Sequence, residues 1–265
     1  MSFWKRLMGT SPAADGSAPQ PAKSGPGAPL LAVLGADMHS HVLPGLDDGA
    51  DSVEAGVALV RELVALGYRK LIATPHIMGD FYRNTPVGVR AALAALTEAT
   101  TAQGIDVTLE CAAEYYLDEW FLPRLAAPDG ILSFGGDQRY VLVETSYINE
   151  SRVLTQAIFE LCAAGYRPVI AHPERYKYLH SRLDDAAGWR DKGALLQINL
   201  NSLAGYYGPG ERHAVEQLID RGLVDFAGTD AHGLKHTTVL ANLYATPYFD
   251  KLLALPLRNK TLLGG

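Results

Sequence analysis

Ala36-Asp37-Met38-His39-Ser40-His41-Val42-Leu43-Pro44-Gly45-Leu46-Asp47-Asp48-Gly49-Ala50 follows an apolar run, Leu30-Leu31-Ala32-Val33-Leu34, and together they have the length of a strand and its exit loop. On a strand, residues two apart share a face, so the His39 and His41 imidazoles project together. Pro44-Gly45 breaks the strand, and two adjacent carboxylates, Asp47 and Asp48, come next. Neutral imidazoles with hard carboxylate oxygens are a ligand mix for a divalent transition metal. Two surface histidines ahead of a turn would leave the same short signature, so the distinction rests on what the later strands carry.

Working outward, strand-like segments recur at 31–41, 70–76, 107–114, 140–145, 167–172, 195–200 and 225–230. Helical patterns lie between them. In 51–66, Val53, Val57, Val60, Leu63 and Val64 form one apolar stripe, with Asp51 and Ser52 as N-cap candidates. Segments 87–103, 151–164, 184–192 and 211–221 each end against a glycine, at 104, 165, 193 and 222. Strand and helix in alternation predict parallel strands with crossover helices. Polar candidate ligands at nearly every strand end favour a closed barrel over an open doubly wound sheet, because only a barrel brings all those ends to one site.

The 265-residue chain is 48% hydrophobic and 20% charged, an ordinary globular composition, and its formal charge of −6 argues against a nucleic-acid-binding surface. Residues 9–29 are dominated by Gly, Ser, Pro and Ala, so residues 1–29 read as a flexible N-terminal arm and 30–265 as a single folded domain. Phe3, Trp4, Leu7 and Met8 suit a frayed terminus, or contact with a membrane surface or partner groove. No run reaches the ~20 apolar residues of a spanning helix, and no secretory signal opens the chain, so a cytoplasmic location is expected. Cys111 and Cys162 make neither a disulfide framework nor a thiolate zinc site and are expected in the core. Cys162 and Arg167 are separated by four residues, not the five of a cysteine-phosphatase loop, which excludes that mechanism.

The strand ends supply His39 and His41, then His76 in Ala73-Thr74-Pro75-His76, Glu114 in Ala113-Glu114-Tyr115-Tyr116, and Glu144 in Val143-Glu144-Thr145-Ser146. His172 follows in Ala171-His172-Pro173-Glu174-Arg175-Tyr176, and Asp230 with His232 in Thr229-Asp230-Ala231-His232, while Asp48 joins from the first loop. Five of the eight histidines fall at these points. Any one of them alone would be a satisfied polar residue or a helix cap; coincidence at every strand end is a poor explanation. Nine candidate ligands exceed the needs of one tetrahedral ion and suit two or three, with bridging carboxylates. Four carboxylates against three divalent ions leave a site of about +2, which attracts a phosphate monoester dianion more than a peptide or amide. Metals there would hold phosphoryl oxygens and turn a bound water into a nucleophile.

These motifs, with Leu43-Pro44-Gly45-Leu46-Asp47-Asp48-Gly49, resemble the PHP (polymerase and histidinol phosphatase) superfamily. Within it they are most similar to the bacterial manganese-dependent protein-tyrosine phosphatases of capsule and exopolysaccharide clusters. The resemblance covers about residues 35 to 250. It implies a distorted (β/α)7 TIM-like barrel, the PHP fold, with three divalent ions, manganese before iron or zinc, at the strand ends. Carried over, the metal ligands would be His39, His41, Asp48, His76, Glu114, Glu144, His172, Asp230 and His232. Asp47 is the rival to Asp48, and Asp37 is expected to orient a histidine. Arg175 would contact phosphate, its bland alternative being a salt bridge to Glu174; Arg83 and Tyr116 are weaker candidates for substrate contact. Lys235 and His236 stand where relatives often show an arginine. Tyr82, Tyr115, Tyr116, Tyr147, Tyr176 and Tyr206 would either line the mouth of the site or support its loops.

The activity so implied is hydrolysis of protein phosphotyrosine, with a bacterial tyrosine kinase as partner. A phenolate leaving group, with pKa near ~10, needs little acid assistance, which His41 or His232 would supply. A histidinol-phosphatase-like enzyme for small molecules is the alternative, and a catalytically dead binding module is the reading from a different class.

Overall fold

The computed structural model describes residues 29–127 and 130–264. The arm expected over 1–29, with its apolar Phe3, Trp4, Leu7 and Met8, lies outside the described residues apart from Pro29. Among the described residues nine strand segments occur in chain order: β1 Ala36–Ser40, β2 Lys70–Ala73, β3 His76–Ile77, β4 Thr108–Cys111, β5 Glu114–Tyr116, β6 Tyr140–Glu144, β7 Arg167–Ala171, β8 Leu195–Asn199 and β9 Phe226–Gly228. They pair in parallel throughout, in the orders β1-β2-β4 and β3-β5-β6-β7-β8-β9.

The two sheets share staves. β2 runs into β3 across Thr74-Pro75, where proline has no N–H to give the ladder, and β4 runs into β5 across Ala112-Ala113. Counting each broken pair once leaves seven staves, the distorted (β/α)7 barrel. Closure between β9 and β1 is made largely by individual groups. The Asp230 N–H donates to the His39 carbonyl at 2.8 Å, and the His41 N–H to the Ala231 carbonyl at 3.0 Å. Below them the Asp37 carboxylate accepts from the Thr229 N–H at 3.0 Å and its hydroxyl at 2.5 Å. The Asn259 amide bonds Ala36 O at 3.0 Å, Ala227 O at 2.7 Å and Ala227 N at 3.0 Å.

Within the barrel, Met38, Ile72, Leu142, Val169, Leu195 and Phe226 belong to one buried cluster. On β6, β8 and β9 the same side-chain alternation leads from that cluster to Glu144, Gln197 and Gly228, nearer the C-terminal ends. The core therefore forms a floor and the polar residues sit on it. In β1 the pairing advances three residues, Asp37 to Ser40, against two in β2, Leu71 to Ala73. That bulge offsets the alternation, so Met38 stays in the floor while His39 and His41 turn to the mouth.

Helices Val53–Ala65, Pro86–Ala102, Leu154–Ala163, Asp184–Asp191 and Pro209–Asp220 lie where the sequence predicts them, with no end shifted by more than three residues. Ser52, not Asp51, caps the first, its hydroxyl accepting from the Ala55 N–H at 3.2 Å. Two expectations are corrected. Residues 31–35 form turns, with Leu34 N–H bonded to Leu31 O at 3.0 Å and Gly35 at φ +74°. The run is apolar because Leu31 and Leu34 are buried, and burial alone does not distinguish strand from turn. Cys162 is exposed, not core, and Cys111 only half-buried. Among the described residues no helix is long and apolar enough to cross a membrane.

Candidate metal centre

All nine candidate ligands meet at the C-terminal mouth of the barrel, and eight of them fall into three overlapping groups. His39 Nε2 and His41 Nε2 lie 3.2 and 3.5 Å from Glu114 Oε2, and each is 3.4 Å from Asp230 Oδ1. His41, Asp48, His76 and His232 make the second group, with Asp48 Oδ1 3.7 Å from His76 Nε2 and 3.5 Å from His232 Nε2. In the third, His76 Nδ1 lies 3.1 Å from Glu114 Oε2 and 3.2 Å from Glu144 Oε1. His172 Nε2 adjoins it, 2.9 Å from Glu114 Oε1 and 3.7 Å from Glu144 Oε2. Glu114 is thus common to two groups through one carboxylate, the geometry of a bridging ligand.

The electrostatics are those of a cation site. Burial raises the Glu114 and Asp230 carboxyls, but the neighbouring histidines, His39 foremost, outweigh it and hold both well below the usual carboxylate range. Burial lowers His76, yet Glu114 and Glu144 push it up to about 9. Asp48, opposed by burial, is lowered to about 2 by His232, His76 and His41. Asp48 Oδ1, Glu144 Oε1, His172 Nδ1 and both nitrogens of His76 are buried without a hydrogen-bond partner, although their neighbours are close. Lone pairs that converge at 3–4 Å without hydrogen-bond alignment are what a coordinated cation satisfies. The donor set of nitrogen and carboxylate oxygen fits divalent transition ions.

Local backbone aims these groups. His172, directly past β7, and Asp230, two residues past β9, adopt φ +33° and +51°, a left-handed conformation costly for a side-chain-bearing residue and common at functional sites. A Cβ on Gly49 would sit 2.2 Å from the His41 carbonyl, so only glycine permits the tight Asp47-Asp48 loop. Asp47 is fully engaged: Oδ2 lies 2.7 Å from His41 Nδ1 and accepts the His76 N–H at 2.9 Å, while Oδ1 accepts the Gly49 N–H at 2.9 Å. Asp47 therefore orients His41 and leaves Asp48 to face the cluster.

Asp37 does not orient a histidine ring, contrary to expectation; both its oxygens are spent on Thr229 and the His39 N–H, and burial raises its carboxyl to about 6. That task for His39 falls to Gln197, which sequence reasoning missed. Its Oε1 accepts from His39 Nδ1 at 2.9 Å, which leaves Nε2 to the cluster. Gln197 Nε2 donates to Asn199 Oδ1 at 2.9 Å, and Asn199 Nδ2 donates to Asp230 Oδ2 at 2.6 Å. Both amides sit on β8, the stave without a candidate ligand, and two residues of strand spacing at its end were the available signal.

Arg175 follows His172 on a short 3-10 turn, Pro173–Arg175. It pairs with Asp230 Oδ2 at 3.0 Å, not with Glu174, and its guanidinium lies 4.5 and 4.2 Å from the Tyr147 and Tyr207 ring centres. Glu174 is buried, accepting from the Asn199 N–H and the Ser202 hydroxyl. Tyr116, half-buried, has its phenol raised to about 12 by burial and then Glu144, which sets it beside the cluster. Tyr82 stacks on His76 at 5.7 Å, and the Tyr147 hydroxyl donates to Glu144 at 3.3 Å. Tyr115 and Tyr176 are core residues instead, their hydroxyls accepting the Leu132 and Thr145 N–H groups. Arg83 points along its own loop, bonded to the Gly79 carbonyl at 2.6 Å and 3.8 Å from Asp80. At His236, burial and then His232 lower the imidazole to about 4, and its Nδ1 accepts the His232 N–H at 3.1 Å.

The family profile described as capsular polysaccharide synthesis, CpsB/CapC, matches residues 35–241, a span that contains all nine candidate ligands. The chain belongs to the CpsB/CapC family. Tyrosine-protein phosphatase YwqE of Bacillus subtilis (strain 168) is 33% identical over 199 residues, 75% of this chain and 78% of the relative. Tyrosine-protein phosphatase CpsB of Streptococcus pneumoniae is 26% identical over 203 residues, 75% and 83% of the two chains. A solved structure from work on YwqE and CpsB, described as unique metal-dependent tyrosine phosphatases, superposes with TM-score 0.77 at 30% identity, covering 86% of this chain and 94% of the other. An organophosphorus hydrolase from Deinococcus radiodurans, at TM-score 0.50 and 15% identity over 87% and 93%, shares the fold alone. The CpsB/CapC barrel thus has its candidate ligands at the mouth of a TIM-like fold.

Proposed function

We propose that this CpsB/CapC chain is a metal-dependent phosphomonoesterase that hydrolyses phosphotyrosine in proteins. The observation that carries the proposal is the convergence of nine buried or half-buried His, Asp and Glu side chains, with Arg175 among them, at one barrel mouth. Three ions, manganese first and iron or zinc as alternatives, would be held by the three groups, with Glu114 shared. When bound, such ions supply Lewis acidity to phosphoryl oxygens and lower the pKa of water near neutral pH.

The protein's own groups define the rest. Arg175, held by Asp230 and flanked by two tyrosine rings, is fixed with part of its fork free for bidentate contact with phosphoryl oxygens. A phenolate departs with little acid assistance, so both His232, 18% exposed, and the buried His41 can be spent as ligands. His41 is locked to Asp47 and serves as a ligand. Tyr116 and Tyr82 offer ring surface at the mouth for a phenyl group.

The protein substrate we assign is a bacterial tyrosine kinase linked to capsule or exopolysaccharide synthesis, in line with the family description. Two free cysteines agree with a reducing, cytoplasmic setting, and we take 30–265 as one domain. The test is phosphate release by manganese-loaded protein from a phosphotyrosine peptide and from histidinol phosphate at matched concentration. Preference for the peptide, abolished by a chelator, supports the proposal; preference for histidinol phosphate reassigns the enzyme to small molecules, and no turnover leaves a binding module.

A further inference from the structure

We infer that a groove beside the barrel mouth binds the part of a protein substrate that flanks the phosphotyrosine, and selects acidic residues there. The inference rests on the phosphotyrosine reading above and adds its sequence preference. Gly79, Arg83, Trp120, Pro123, Arg124 and Ala127 line this groove of about 490 Å³. In a chain of net charge −6 its lining, among the described residues, holds two arginines and no carboxylate. Trp120 is 53% exposed, and exposed Phe81 lies on the same loop as Arg83. Two guanidinium groups complement carboxylate side chains on an extended peptide, and the Trp120 indole offers apolar surface to its other side chains.

The groove is tied to the candidate centre through the loop that follows His76. One wall is the 78–84 loop, which leaves β3 after Ile77, the residue next to His76. Asn84 Nδ2 donates to the His76 carbonyl at 2.8 Å, and Tyr82 covers the His76 ring. Gly79 lies against Trp120, where an added Cβ would come within 1.8 Å of the indole, and the Gly79 and Trp120 N–H groups both bond Asp118, at 2.7 and 2.9 Å. That shared carboxylate ties the His76 loop to the opposite wall, the short helix Phe121–Leu125 that carries Arg124 in its last turn. Arg83 is positioned by the Gly79 carbonyl and meets Asp80 only at 3.8 Å, with both side chains exposed, so an incoming carboxylate competes on equal terms. A phosphotyrosine seated at the mouth places its neighbouring residues over this wall.

The test uses manganese-loaded full-length protein, wild type, Arg124→Glu and Trp120→Ala, with three substrates: a phosphotyrosine peptide flanked by Glu and Asp, the same peptide with Lys in those positions, and p-nitrophenyl phosphate. Wild type is expected to show the lower KM for the acidic peptide. Arg124→Glu should raise that KM about fivefold and reduce or reverse the preference, and Trp120→Ala should raise KM for both peptides. Turnover of p-nitrophenyl phosphate should stay within about twofold in both variants, which also shows that they fold. Equal KM values for the two peptides in wild type, or variants that leave peptide KM unchanged, overturn the groove while the phosphatase reading stands. Failure of wild type to turn over any of the three overturns both.

Discussion

Glu114 is the residue on which the site depends most, since His39, His41, His76 and His172 all lie within 3.5 Å of its two oxygens. Glu114→Gln keeps the shape and removes the charge, and is expected to cut phosphate release at least about a hundredfold and to lower bound manganese per chain. Gln197→Ala should weaken metal binding by about 10–100-fold through the freed His39 ring, while Gln197→Glu, which keeps the acceptor, should restore most of it; titration of each variant with manganese is the check. The His76 shift adds a pH dependence. A folded-state value raised from its ordinary 6.5 to about 9 stabilises the metal-free protein fully below pH 6.5, and that stabilisation is lost as pH rises through about 9. Tm of the metal-free protein should therefore fall between those values, while manganese affinity rises because the ion no longer displaces a proton; a flat Tm across that interval contradicts it. At this scale the convergence of the candidate His, Asp and Glu ligands was legible because such residues at strand ends break an apolar pattern. Gln197 and Asn199 were not, because a buried amide pair reads the same whether it holds a ligand or a loop.

The elements show how the strands aim those residues. Alternation of strand and helix predicted the barrel, and six of the seven staves begin within one residue of the sequence expectation. What the pattern did not show was irregularity. The β1 bulge, the Thr74-Pro75 and Ala112-Ala113 breaks and the left-handed His172 and Asp230 interrupt the strand period at single residues, which an alternation pattern does not reveal. Short helices such as Leu200–Leu203 and Leu234–Leu240 offer too few residues for a period to emerge. Gly228 on β9 illustrates the crossing contacts: a Cβ there would lie 2.8 Å from His39 Cβ and 3.0 Å from Gln197 Nε2. Gly228→Ala should cost about 1–3 kcal/mol of stability and weaken metal binding together, measured by denaturant unfolding and manganese titration.

For the molecule as a whole, closure of the barrel between its first and last staves depends on Asp37 and Asn259, residues far apart in the chain. Asn259 satisfies three buried backbone groups, and Asn259→Leu is expected to destabilise by about 3 kcal/mol in chemical denaturation. Its role was invisible in the sequence, where it is one polar residue near the end of the chain. Charge repulsion among the ligand carboxylates, relieved by a cation, links metal to fold: a chelator should lower Tm, and manganese restore it.

The most direct measurement is manganese titration of metal-stripped protein with bound metal counted per chain and phosphate release from a phosphotyrosine peptide followed in the same samples. Three ions per chain, with activity rising only as the last sites fill, is the expected result. Fewer than two ions at saturation, or full activity in the stripped protein, would contradict a barrel mouth built as a multinuclear phosphatase centre.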